Sequence, residues 1–137
     1  NARLRDKNQW KIKIDGIEGY AGYLTPVHNY AYNRILIGDA LELLPTLASN
    51  SYDLVLAIDI LEHFYKEQGV HFLKECRRIA KGSSLISTPK EFMEQDVPAN
   101  PFENHRSVWN DEDLKRCSFD TFLPNPFSWI ALASHHE

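Results

Sequence analysis

The sequence predicts an α/β fold on a largely parallel sheet, from three observations. Strand-like runs alternate with helix-like segments along most of the 137 residues, the pattern of repeated strand–helix–strand units. One run, Leu54-Val55-Leu56-Ala57-Ile58, is continuously apolar, as expected of a strand buried on both faces of a parallel sheet. The chain also closes on two extended segments between Thr121 and Ser134, with Pro124 and Pro126 between them. That suits a terminal hairpin and adds antiparallel character at one edge.

Each element has its own signal. Residues 1–9 are polar and read as a loop or the tail of a helix. Lys11-Ile12-Lys13-Ile14-Asp15 alternates with period two and predicts a strand ending near Glu18. Residues 20–32 are rich in tyrosine, and Pro26 suits the first turn of a short helix. Arg34-Ile35-Leu36-Ile37 predicts a second strand, running into Gly38-Asp39. A helical stretch from Ala40 is stopped or kinked at Pro45. The third strand is Tyr52 to Ile58.

Val70, Leu73, Cys76 and Ile79 then follow the 3.6-residue period of a helix. Glu67 lies near its start, and Lys74, Arg77, Arg78 and Lys81 lie near its end, matching the helix dipole. Gly82 is expected just past its C-terminus. Residues 83–88 form the fourth strand, closed by Pro89. Residues 90–109 read as a long loop, either a substrate lid around His105 and Trp109 or a folded loop packing Trp109 on the sheet. Asn110 is placed to cap a helix through Asp111-Glu112-Asp113-Leu114.

Composition bounds the function. Hydrophobic residues make up 43% of the chain, enough for a single domain over residues 1–137. The net charge of −4 and a pI near 5.9 give no electrostatic case for nucleic acid or an anionic membrane. Cys76 and Cys117 form no CxxC unit and read as small buried or half-buried thiols. No apolar run approaches the roughly 20 residues of a membrane span, and no signal-peptide core is seen. A cytoplasmic protein is the default expectation.

Three predicted strands end in an acid: Glu18, Asp39 and Asp59. In a parallel sheet these ends share one rim, where ligands of such folds bind. Carboxylates there suit hydroxyl, amine or ammonium groups. Asp59, Glu62 and His63 also have i, i+3, i+4 spacing, open to metal, acid–base or structural readings. Asp59 is expected to precede the helix, however, and no second ligand cluster is evident, so no metal is assigned. His135-His136-Glu137 reads as a solvated tail.

With these residues in place the chain resembles the class I S-adenosylmethionine-dependent methyltransferases, a Rossmann-like family. The resemblance rests on IDGIEGY around Glu18, ILIGDALELLP around Asp39, YDLVLAIDILEHF around Asp59 and RIAKGSSLISTP for the next strand. HRSVWNDEDL is similar to a loop-plus-helix of many such enzymes, and the terminal hairpin fits the family's antiparallel strand. The resemblance implies that Glu18, followed by Gly19 and Tyr20, meets the cofactor ribose. It implies that Asp39, with Ala40 and Leu41, meets the adenine, and that Asp59 and Ile60 lie by the methionine part. His63, one turn further on, is the candidate general base, with structural roles for Glu62 and His63 the alternative.

The resemblance implies methyl transfer to an unidentified O, N or C nucleophile on a small-molecule or other acceptor. A non-enzymatic binding or scaffold domain on the same fold is the rival, and a nucleotide-dependent oxidoreductase a more distant one. The family's glycine-rich loop and first strand belong before Lys11, where this sequence shows neither. In the family's sheet order, 3-2-1-4-5-7-6, that strand separates the Glu18 and Asp59 strands. Without it they would stand about 9–10 Å apart, twice the usual spacing. The expectation is therefore a domain incomplete at its N-terminus.

Overall fold

The computed structural model describes residues 11–135. The readings for residues 1–10 and for the tail residues 136–137 fall outside the described residues. The chain divides into two compact units, residues 1–43 and 44–137, each described by itself.

In the first unit, β1 (Asp15–Glu18) pairs in parallel with β2 (Arg34–Ile37), Glu18 lying opposite Ile37. Between them run a 3-10 turn at Ala21–Tyr23 and α1 (Pro26–Ala31), with Pro26 in the first turn as predicted. The expected strand at Lys11 begins four residues later. The backbone of Ile14 is instead exchanged with Asn33: its N–H donates to Asn33 Oδ1 at 2.8 Å, and its carbonyl accepts from Asn33 N at 2.7 Å. Ile12, 70% exposed, gains no burial from the alternation. Gly16 leaves room for Tyr32, since a Cβ there would stand 2.9 Å from the tyrosine ring. Tyr20 and Tyr23 are exposed and pack edge-on at 4.9 Å. α2 (Ala40–Leu43) ends before Pro45, which sits in a 3-10 turn at Leu44–Thr46.

The second unit holds a four-stranded sheet in the order β3-β4-β6-β5. β3 (Tyr52–Ile58) and β4 (Ala80–Pro89) are parallel; β6 (Ser128–Ser134) is antiparallel to β4 and to β5 (Thr121–Leu123). These four follow the 4-5-7-6 portion of the expected order. α3 (Lys66–Ile79) buries Phe72, Leu73, Cys76 and Ile79, and α4 (Asp111–Arg116) is capped by Asn110 Oδ1 accepting from Asp113 N at 2.9 Å. The core adds Ile86, Leu114, Phe119, Ala131 and Ala133.

Three expectations need correction here. Val70 is 46% exposed, and Phe72 takes its place on the buried face of α3. Gly82 is no helix cap: Ala80 enters β4 directly, and Gly82 lies within that strand. A Cβ on Gly82 would meet Asp53 O at 2.5 Å, at the register shift between Tyr52 and Leu54. The glycine serves the bulge. Finally, β3 is covered on one face. Ala57 is buried, while Leu54, Leu56 and Ile58 are 53–60% exposed. No described helix is long and apolar enough to cross a membrane.

Candidate functional site

In the first unit two acids leave the same end of the β1–β2 pair. Glu18 Oε1 accepts from Tyr20 N at 3.0 Å, and Gly38 N extends the ladder to Glu18 O at 3.0 Å. Gly38 has φ of +149°, a conformation that favours glycine, and it turns the chain from β2 towards α2. Asp39 then starts α2: its Oδ1 accepts from Leu41 N at 2.9 Å, and its carbonyl accepts from Leu43 N at 2.9 Å. Each carboxylate thus uses one oxygen on its own turn and keeps capacity on the other. A cavity of about 220 Å³ in this unit is lined by Leu24, Thr25, His28 and Arg34 among others, at the opposite end of β2.

In the second unit the corresponding end of β3 is more elaborate. Asp59 adopts φ of +50°, unusual for a residue with a side chain. Two bonds to Ser87 hold it there: Asp59 N donates to Ser87 O at 3.0 Å, and Ser87 Oγ donates to Asp59 Oδ1 at 3.0 Å. Ile60 leads into a 3-10 turn, Leu61–His63, in which Leu61 and Glu62 are buried. Glu62 Oε2 accepts from Thr88 Oγ1 at 3.0 Å. Burial raises the Glu62 carboxyl above its ordinary value, and its bond from Thr88 and the neighbouring His63 only partly offset this. His63 Nε2 lies 3.1 Å from Asp59 O and 3.8 Å from Glu62 Oε1, and its Nδ1 lies 3.3 Å from Asn104 O.

The segment around residues 104–109 straps this turn down. Arg106 N and Ser107 N both donate to Glu62 O, at 2.8 and 3.1 Å. Arg106 Nη1 donates to His63 O at 2.8 Å, and Ser107 Oγ donates to Phe64 O at 2.6 Å. Trp109 is buried; its Nε1 donates to Ser107 Oγ at 2.9 Å, and its ring packs on Gly69 of α3 instead of on the sheet. His105 is brought next to His63, ring centroids 4.9 Å apart, and its Nδ1 lies 2.6 Å from Met93 O. The structure therefore joins Asp59, Glu62 and His63 to Ser87, Thr88, His105 and Arg106. Sequence reasoning missed the His63–His105 pairing. The resemblance of HRSVWNDEDL to a family loop was the signal present, but it fixes no contact.

Several solved structures share this fold. A protein of Pyrococcus horikoshii OT3 is 16% identical, with 90% of this chain and 72% of that one covered and a TM-score of 0.63. A SAM dependent methyltransferase from Archaeoglobus fulgidus is 19% identical over 75% of this chain and 47% of that one, with a TM-score of 0.54. A chain in the complex of the Haloferax volcanii Trm112 methyltransferase activator with a methyltransferase is 14% identical over 91% and 73%, with a TM-score of 0.60. At these identities the likeness is one of fold. Curated proteins give no match. The family assignment comes from residues 13–87, more than half of the chain and including both acid-ended strands of the first unit, which match the model described as a methyltransferase domain. The chain therefore belongs to the methyltransferase domain family, enzymes whose methyl donor is S-adenosylmethionine.

Proposed function

We propose that the protein transfers the methyl group of S-adenosylmethionine to an oxygen, nitrogen or carbon nucleophile. The sulfonium–methyl bond breaks as the bond to the nucleophile forms, S-adenosylhomocysteine departs, and the nucleophile gives up a proton. Positioning carries much of such a reaction, because the leaving group is already activated by its positive charge. The observation that carries the reading is the pair Glu18 and Asp39, leaving the same end of two parallel strands inside the matched segment.

Roles follow from free capacity. Glu18, with Gly19 and Tyr20 beyond it, offers a carboxylate to the ribose hydroxyls and an exposed ring to the ribose or adenine. Asp39 offers its second oxygen to the adenine amine, with Ala40 and Leu41 at the start of α2 beside the base. The polar chain end at Asp59 and Ile60 suits the ammonium group of the methionine part. His63 is a positioning residue in this reading. Both its ring nitrogens face backbone carbonyls, which hold the ring in place beside Asp59.

Calorimetric titration with S-adenosylmethionine and S-adenosylhomocysteine tests the proposal. Both are expected to bind, with affinity falling at least tenfold in Glu18→Ala and in Asp39→Ala. Absence of binding by the unaltered protein would sink it, and so would unchanged affinity in both variants.

A further inference from the structure

Glu62, His63 and His105 each offer a ligand atom, and these atoms all lie within 4.8 Å of one another. We propose that the three side chains form a binding site for one divalent transition-metal ion. Two imidazoles and a carboxylate are a donor set that suits zinc, cobalt, nickel or iron(II), with positions left over for water.

Each donor is already oriented. Glu62 is buried and spends Oε2 on Thr88, leaving Oε1 on the side of His63. His105 Nδ1 stands 2.6 Å from Met93 O. That contact needs the proton on Nδ1, so Nε2 carries the lone pair. Metal-bound histidines are held by this same device. The strap fixes the distance between the two histidines, because Arg106 N and Ser107 N both donate to Glu62 O.

His63 supplies the sharpest reason for a cation. A neutral imidazole has one N–H and one lone pair. Its Nδ1 faces Asn104 O at 3.3 Å and its Nε2 faces Asp59 O at 3.1 Å. One nitrogen must therefore point a lone pair at an oxygen. Donation from Nδ1 to Asn104 O leaves the lone pair on Nε2, and a small turn of the ring away from Asp59 O lets that nitrogen take a metal ion, which removes the conflict. The same ion engages the lone pairs of both imidazoles and the Glu62 carboxylate at once, which a proton on His63 alone does not do. The competing positive charge is the Arg106 guanidinium, which is directed at the carbonyls of His63, Asn104 and Pro101. Metal–ligand bonds of about 2.0–2.2 Å put tetrahedral ligands roughly 3.4 Å apart, so the side chains close by about 1 Å on binding.

The proposal concerns an ion and stands whether or not methyl transfer is confirmed. The test uses protein stripped with a chelator and dialysed. Co2+ is titrated with visible absorption as the readout, and Zn2+ by calorimetry. The expected result is saturable binding of one equivalent, at least tenfold weaker in His105→Ala and in His63→Gln, with circular dichroism showing both variants folded. A His135→Ala/His136→Ala variant is expected to bind like the unaltered protein. Lack of saturable uptake overturns the site. So does binding that survives in both ligand variants, and so does loss of binding on removing the tail histidines, which marks an adventitious ion only.

Discussion

Cys76 lies on the buried face of α3, 1% exposed, with its carbonyl accepting from Ser84 Oγ at 3.0 Å. Burial pushes its thiol up to about 12 from an ordinary 9.0, and the charge of Glu75 adds to the effect. The native state therefore keeps this proton where the unfolded chain releases it. The stability it contributes is complete below pH 9.0 and is lost as pH rises towards about 12. At pH 10.5 the loss amounts to about 2 kcal/mol, from ~1.36 kcal/mol per pH unit. Urea unfolding at pH 8 and 10.5 is expected to show this fall in the unaltered protein and a fall smaller by that amount in Cys76→Ala. Comparing slopes cancels the tyrosines and lysines that titrate in the same range. Equal slopes in the two proteins would refute it. Cys117, half-buried and also raised by burial, is expected to be the thiol that labels in the native state.

The strap against α3 is a matter of elements, and it turns on one position. Gly69 lies in the first turns of α3, where alanine would ordinarily gain about 1 kcal/mol in helix propensity. Here a Cβ would collide with Trp109 Cζ2, in a ring that is 1% exposed. Overpacking of this kind costs about 1–3 kcal/mol or more, so the clash outweighs the propensity. Gly69→Ala is expected to be destabilised by up to about 2 kcal/mol in urea unfolding, and Trp109→Leu in the same background to recover part of the loss. A more stable Gly69→Ala would mean that Trp109 does not sit against the helix.

The order of the elements was legible because alternation, the Asn110 cap and the prolines are local signals. So was the placing of Glu18 and Asp39 at strand ends, since a run of apolar residues closed by an acid is read within six positions. Gly82 and Val70 were misjudged because their roles depend on what lies across from them. A glycine serving a bulge at Asp53 O looks, in one dimension, like a helix stop. His105 reaches His63 through hydrogen bonds between segments about forty residues apart, a distance over which no periodicity extends.

At the scale of the whole molecule, the described strands form two sheets. Among the described residues β1 pairs with β2 in the first unit, and β3 pairs with β4 in the second. Among the described residues β3 is the edge strand of its four-stranded sheet. On β3 the open edge coincides with an apolar face, because Leu54, Leu56 and Ile58 alternate along the strand and are each more than half exposed. Three large side chains in a row beside unpaired backbone groups are a template for another strand or another copy.

The 137-residue chain is therefore expected to self-associate as its concentration rises, and to bind a fluorescent hydrophobic dye in its native state. Leu54→Thr, Leu56→Thr and Ile58→Thr combined place a β-branched residue at each position while removing most of the apolar face. The side chains lie outside the core, so the expected cost in stability is small, about 1 kcal/mol or less in total. Dye binding and the apparent mass in sedimentation should both fall. Ala57→Thr, on the buried face of the same strand, is the contrasting variant: it places a hydroxyl and extra volume in the core and should lose stability without lowering association. If the triple variant associates as readily as the unaltered chain, the exposed face of β3 is not what drives association. If it unfolds, that face is buried in solution.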